Sequence, residues 1–112
     1  MAVKCDEYNG VCVLTVVGDL AGDDVATARR LVDEMVDRRQ VADVVVDLEK
    51  VPFVDSQGLE ALCWIKQRCE DLFGQMKLAN PDENVRKILE ITRLAHRFET
   101  HAELSAALKN MR

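Results

Sequence analysis

The pattern of hydrophobic and polar positions along the chain predicts strands and helices in alternation. Two short segments that could form strands, residues 3–8 and 11–17, flank Asn9-Gly10, a dipeptide that favours a tight hairpin turn. The second segment is dense in β-branched side chains, which favour a strand. We therefore predict a β-hairpin at the start of the chain.

A helical pattern follows over residues 25–39. Its apolar side chains recur three and four positions apart, as on one buried helix face: Val25, Ala28, Leu31, Val32, Met35 and Val36. Residues 22–24, Gly-Asp-Asp, supply turn and capping chemistry for the helix start. Residues 43–48 then contain a continuous apolar run, which is typical of a strand buried on both faces.

The second half of the chain continues the alternation. A second helix is predicted over about residues 57–73, with Gly74 as its C-cap. Residues 76–79 form another strand, and a third helix starts after residues 80–82 and runs through Ile91.

The last elements are short. Phe98 is assigned to a final strand, and a fourth helix is predicted over residues 102–109. Thr100 and Glu103 stand three positions apart, the spacing of a capping box, so Thr100 is the expected cap of that helix.

This order of elements predicts the fold class. Strands separated by helical crossovers pair in parallel, and the crossovers are right-handed. We predict an α/β fold in the broad sense, an α+β mixed sheet of about four to five strands with four helices mainly on one face. Residues 1–112 are expected to form a single domain.

The amino-acid composition of the chain restricts the classes of partner that it can bind. The formal net charge is -5 at pH 7, whereas phosphate binding depends on clustered Lys and Arg, so nucleic acid and anionic membranes are disfavoured. Apolar runs all fall short of the roughly 20 residues that cross a bilayer, and the N-terminus lacks the apolar core of an export signal. The sequence predicts a cytoplasmic protein without membrane insertion.

The cysteine pattern predicts neither a metal site nor a cofactor. None of the four cysteines falls in a CxxC pair, and His96 and His101 are far from any cysteine pair in sequence. The cysteines stand at four separate positions: Cys5, Cys12, Cys63 and Cys69. In a chain without an export signal we expect all four to be unpaired thiols that pack as small hydrophobes.

The segment VPFVDSQGLEAL places Ser56 where a strand region gives way to a helix. Two interpretations remain open: the serine caps the helix, or its hydroxyl is presented to another molecule. A catalytic role is disfavoured because Val54 breaks the G-x-S-x-G pattern and both histidines lie in the last fifth of the chain. No P-loop, GxGxxG or HExxH motif occurs. We therefore predict no catalytic residue and no enzymatic activity.

Phosphorylation of Ser56 makes physical sense at this position. A phosphate at a helix N-terminus meets free N–H donors and the positive end of the helix dipole. Gly58, without a side chain, is expected to let a partner approach the hydroxyl. The added charge of about -1.5 to -2 would lie beside Asp55 and Glu60. The helix tolerates that charge, whereas a partner surface matched to a neutral hydroxyl does not.

These residues resemble a known family. The string VVVDLEKVPFVDSQGLEAL is similar to the core of the STAS domain, the sulfate-transporter and anti-sigma-factor-antagonist fold. GDLAGDDV is similar to the segment before its first helix, and ILEITRLAHRFETHAELSAAL to its closing elements. The resemblance implies an anti-sigma factor antagonist whose unmodified form binds an anti-sigma factor that is also a serine kinase. Phosphorylation of Ser56 would weaken that binding and a serine phosphatase would restore it.

The resemblance also implies which residues meet the partner. Asp55 matches the acid beside the serine, which orients the hydroxyl or the loop, and Asp19 matches the acidic position of the first motif. The expected partner-binding set is Asp19, Asp55, Ser56, Gln57, Gly58 and Glu60. The chain departs from the family pattern at three positions of this surface: Ala21, Gln57 and Glu60. Glu60 would repel an acidic partner or select a basic one.

Two alternatives stay open. The chain could be a non-phosphorylated STAS interaction subunit of a lipid-transport or signalling-scaffold complex, with Ser56 only a helix cap. Trp64 would then be the partner anchor instead of half-buried core. A third hypothesis, a small-molecule sensor, has no phosphate-cradling loop to support it.

Overall fold

The computed structural model describes residues 2–109 and Met111, which build one five-stranded sheet with helices on both faces. The strands are β1 (Ala2–Tyr8), β2 (Val11–Val17), β3 (Asp43–Lys50), β4 (Met76–Ala79) and β5 (Glu99–His101). The helices are α1 (Asp23–Arg39), α2 (Ser56–Asp71), α3 (Glu83–Ile91) and α4 (Leu104–Lys109), with a short 3₁₀ turn at Ala95–Arg97. The strands lie in chain order, β1 antiparallel to β2 and the others parallel. The predicted mixed α/β fold is confirmed.

The predicted hairpin is present at the start of the sheet. Tyr8 pairs with Val11, and Asn9 and Gly10 between them both have positive φ, 51° and 81°. A two-residue turn with positive φ at both positions matches the right-handed twist of the strands it joins.

The sheet separates two apolar cores. Val44, Val45 and Val46 are 0% exposed, so β3 is buried on both faces as its apolar run predicts. The larger core lies between the sheet and α1, α2 and α3, and the smaller one lies under α4 around Val45, Ala79 and Ala107. Three helices on one face and one on the other agree with the predicted arrangement.

The predicted end of α2 is wrong. The helix ends at Asp71, its C-cap is Leu72, and the left-handed position is taken by Phe73, with φ 61°. Gly74 has a steric role instead: a Cβ at this glycine would lie 2.0 Å from the carbonyl oxygen of Ala42. Close approach of two backbones explains the glycine.

The predicted cap of the last helix is also wrong. Thr100 pairs with Leu78 inside β5, and α4 does not begin until Leu104. Pairing with β4 keeps the chain extended through His101, and this tertiary contact overrides the local capping-box spacing.

The prediction of four unpaired thiols is wrong for two of them. Cys5 and Cys12 form a disulfide between β1 and β2, with their Cα atoms 6.2 Å apart. Cys5 lies opposite Leu14, so the two cysteines are diagonal neighbours whose side chains share the helix-covered face. Only the hairpin register brings them together. Cys63 and Cys69 are free.

Thiol titration with and without reductant checks this arrangement. In the unreduced native protein we expect only Cys63 to react at mildly alkaline pH, because burial raises the pKa of the Cys69 thiol to about 12. Unfolding should expose two thiols, and unfolding after reduction all four. Four reactive thiols in unreduced, unfolded protein would contradict the disulfide.

Candidate partner-binding surface around Ser56

Two loops run side by side at the carboxyl ends of β2 and β3. Leu20 and Val54 form an isolated parallel bridge. The Leu20 N–H donates to the carbonyl of Phe53 over 3.0 Å, and the Asp55 N–H donates to the carbonyl of Leu20 over 3.4 Å. The backbone in front of α2 is therefore held by the loop that precedes α1.

Successive side chains next to this bridge point alternately into the core and to solvent. Leu20 and Val54 are each 2% exposed and point into the larger core. Their neighbours Asp19 and Phe53 are exposed, as expected where successive side chains of extended backbone point to opposite sides. An acid and an aromatic ring are thus placed on the same outer surface.

Asp55, rather than Ser56, caps α2. Its backbone is extended, and its Oδ1 accepts a hydrogen bond from the Gly58 N–H over 2.8 Å. Its carbonyl accepts from the Leu59 N–H over 2.9 Å. The interpretation of Ser56 as the N-cap is therefore wrong, because the carboxylate one position earlier already fills that role.

Ser56 is the first residue of α2 and is exposed. Its hydroxyl makes no hydrogen bond with the described part of the chain, and the same holds for the backbone N–H groups of Ser56 and Gln57. Such unpaired first-turn N–H groups favour a neighbouring anion. Ser56 therefore makes no side-chain hydrogen bond on which the described structure depends, and its surroundings favour an added negative charge.

Gly58 has a different role from the one expected. It is buried, and a Cβ there would lie 2.3 Å from the carbonyl oxygen of Leu20 and 2.7 Å from Cγ1 of Val54. Its missing side chain makes room for the loop before α1 and not for a partner. The glycine sets how closely α2 packs under the serine.

The exposed residues of the two paired loops and of the first five positions of α2 are together called the Ser56 surface: Asp19, Phe53, Ser56, Gln57 and Glu60. Asp55 and Gly58 support it from beneath. Phe53, whose side chain is 47% exposed, was not among the residues predicted from the sequence to meet a partner. The signal was present, since a phenylalanine between Pro52 and the capping Asp55 falls outside both neighbouring elements.

Trp64 stands one helical turn after Glu60 on α2 and lies in a contact between α1 and α2. It is half-buried and packs against the larger core, and the guanidinium carbons of Arg29 and Arg68 lie 5.2 and 5.8 Å from its ring centroid. Arg68 also pairs with Asp33 and Asp37 at 3.0 and 3.2 Å. These contacts agree with the interpretation of Trp64 as half-buried core.

Within residues 2–109 and Met111, no group of three or more His, Cys, Asp or Glu side chains is arranged to hold a metal ion. The same residues contain no helix with the length and apolarity needed to span a bilayer.

Fold and surface together define a small mixed-sheet module with a serine at the start of its second helix. The STAS domain family model matches residues 2–107, and the chain belongs to this family. The resemblance noted in the sequence is confirmed.

Known relatives share the fold at low identity. The anti-sigma F factor antagonist of Paenibacillus polymyxa is 23% identical over 94 residues, which cover 84% of this chain and 80% of the relative. A candidate anti-sigma factor antagonist from Thermotoga maritima superposes with a TM-score of 0.89 at 19% identity, over 98% of this chain and 94% of that one.

The anti-sigma factor antagonist SpoIIAA is similar in both of its solved forms. The unphosphorylated form has a TM-score of 0.85 at 21% identity and covers 96% of this chain and 94% of its own. The phosphorylated Bacillus form has a TM-score of 0.80 at 20% identity and covers 99% and 100%.

Proposed function

We propose that this protein is an anti-sigma factor antagonist whose activity is switched by phosphorylation of Ser56. In its unmodified form it binds an anti-sigma factor that is also a serine kinase, and the sigma factor is released. The proposal is supported by the name of the Paenibacillus relative and by the existence of SpoIIAA in both phosphorylated and unphosphorylated forms.

One observation carries the proposal: Ser56 is an exposed residue at the first position of α2, while Asp55 caps the helix. A serine engaged as the cap would have its oxygen turned toward the first-turn N–H groups. Here that oxygen can meet another protein without any loss to the helix.

The modification is a phosphoryl transfer from ATP. The Ser56 oxygen forms a bond to the γ-phosphorus, the bond between that phosphorus and the β,γ-bridging oxygen breaks, and ADP leaves. A base on the kinase accepts the hydroxyl proton. A serine phosphatase reverses the change by adding water to phosphorus, which restores the hydroxyl and releases inorganic phosphate.

The fold is expected to tolerate the phosphate. Helix α2 has no acid in its first turn, and the unpaired N–H groups of Ser56 and Gln57 lie at the new group. An anion at a helix N-terminus contributes about 0.3–1 kcal/mol of stability at an exposed position. Phosphorylation therefore acts on binding rather than on folding.

The docked partner is not expected to tolerate the phosphate on Ser56. The phosphate adds a charge of about -1.5 to -2 at a contact formed around a neutral hydroxyl. On a kinase, that hydroxyl faces the bound nucleotide, so the new phosphate meets the phosphates of ADP. Like charges brought together in this way oppose binding.

Sigma factors act where transcription occurs, so the proposal places this protein in the cytoplasm.

Phosphate mapping tests the proposal. We expect incubation with a purified anti-sigma factor kinase and ATP to add one phosphate, located by mass spectrometry at Ser56. Ser105 is a matched control, because it is the only other serine and is also exposed, on α4. Phosphate at Ser105 in place of Ser56, or none with any anti-sigma factor kinase of the same genome, would refute the switch.

A further inference from the structure

Phe53 is presented to solvent by a fixed backbone. Its carbonyl accepts the hydrogen bond from Leu20, and the next residue, Val54, is anchored in the larger core. Nearly half of the side chain is nevertheless exposed. An aromatic side chain has only two rotatable bonds, so on a fixed backbone it binds with little loss of conformational freedom, which is typical of interface anchors.

Asp19 and Glu60 are the two exposed acids of the Ser56 surface, and neither of them serves the fold. Other acids at this end of the sheet complete helix starts: Asp55 and Asp82 cap α2 and α3, while Asp23, Asp24 and Glu83 lie in first turns. Asp19 precedes α1 by several residues, and Glu60 is the fifth residue of α2.

Ion pairing does not explain these two acids either. Several acids elsewhere on the helices pair with cations, for example Asp33 with Arg68 and Glu34 with Arg30. Asp19 and Glu60 have no ion pair or side-chain hydrogen bond within the described residues. Both carboxylates are available to a partner.

We propose that the Ser56 surface docks onto a basic protein face, with an apolar pocket for Phe53 and Lys or Arg side chains that meet Asp19 and Glu60. This inference rests on the proposed function, since the partner is the anti-sigma factor kinase. It adds the chemistry that the kinase must offer.

The negative charge of the Ser56 surface argues against two other binding partners, a second copy of this chain and an anionic membrane. In a two-fold contact with a second copy, the same surface would face itself, and Asp19 and Glu60 would oppose identical charges. An anionic membrane would repel the same two carboxylates. A cationic face on a different protein complements them.

The basic face does not conflict with repulsion of the phosphate. Ser56 stands one helical turn before Glu60, so the partner's cations lie beside the serine and not on it. The serine itself faces the nucleotide phosphates of the kinase. Asp19 and Glu60 therefore promote association, and the phosphate at Ser56 ends it.

The experiment measures association and dissociation rates with the purified anti-sigma factor kinase and ADP at about 50 and 500 mM salt. For Asp19→Asn and Glu60→Gln we expect association several-fold slower at low salt and unchanged at high salt, because exposed charges act mainly through steering. For Phe53→Ala we expect dissociation at least about tenfold faster at both salt concentrations, since an apolar anchor is lost.

The chain offers a matched control for each change. Phe73→Ala removes an aromatic ring that is 98% exposed beyond the opposite end of α2, and Glu90→Gln removes an exposed charge on α3. Both should bind like the wild type. All variants change exposed side chains, so their thermal unfolding should match the wild type and verify that they fold.

The outcomes separate the two proposals. If the wild type binds a kinase and is phosphorylated at Ser56 while Phe53→Ala, Asp19→Asn and Glu60→Gln bind as it does, the docking chemistry is wrong and the switch stands. If the wild type binds no anti-sigma factor kinase of its genome, both proposals are wrong. Equal losses in Phe73→Ala and Phe53→Ala would also overturn the assigned surface.

Discussion

Replacing Ser56 by Asp is expected to weaken binding of the anti-sigma factor kinase by at least about tenfold, a loss of about 1.4 kcal/mol or more. The new carboxylate would stand at an exposed position where the docked partner meets a neutral hydroxyl. Ser56→Ala should retain binding within about twofold and accept no phosphate, because the hydroxyl holds nothing within the described chain. Equilibrium binding with purified kinase in the presence of ADP measures both effects.

The second serine supplies the controls for this prediction. Ser105→Asp and Ser105→Ala introduce the same side chains on α4, which covers the opposite face of the sheet, and both should bind like the wild type. Wild-type affinity in Ser56→Asp would contradict the switch. If both Ser56 variants remain functional while Trp64→Ala loses function, the chain is a non-phosphorylated STAS interaction subunit instead.

Replacing Gly58 by Ala is expected to destabilise the protein and to disturb the Ser56 surface together. The added Cβ would overlap the Leu20 carbonyl oxygen at 2.3 Å, and that oxygen belongs to backbone, which cannot swing aside as a side chain does. Overpacking of this kind costs about 1–3 kcal/mol. Urea unfolding should report that loss, and the folded variant should bind the kinase more weakly because the loop that carries Asp19 must move.

Gly74→Ala is the matched control for the steric effect. Its Cβ would lie 2.0 Å from the Ala42 carbonyl oxygen, beyond the far end of α2. We expect a similar loss of stability with unchanged affinity of the folded protein. An unaltered unfolding midpoint in Gly58→Ala would show that the close approach to Leu20 is not a constraint.

Patterns among residues close together in sequence were sufficient to predict most of the helices and strands. The β-branched run of β2, the continuous apolar run of β3 and the helical spacing of α1 each depend on neighbours in sequence, and the structure confirms them. The capping error at Ser56 arose because serine and aspartate are both good caps, so sequence alone does not choose between adjacent residues. The backbone held by Leu20 makes the choice in favour of Asp55.

Contacts between distant segments explain what sequence reasoning missed. The Cys5–Cys12 disulfide depends on hairpin register, the burial of Gly58 on a loop nearly forty residues earlier, and the exposure of Phe53 on the bridge between Leu20 and Val54. None of these is visible as a periodicity or a spacing.

By itself, the amino-acid order determined the mixed α/β fold, the family resemblance and the position of Ser56 at the entrance to a helix, because each is encoded by residues close together in the chain. Tertiary structure alone decided that Asp55 frees the serine from capping and that Phe53 and Asp19 join it on one outer surface. Parallel pairing of β2 with β3 sets their two following loops side by side, and that juxtaposition has no local signal in either loop.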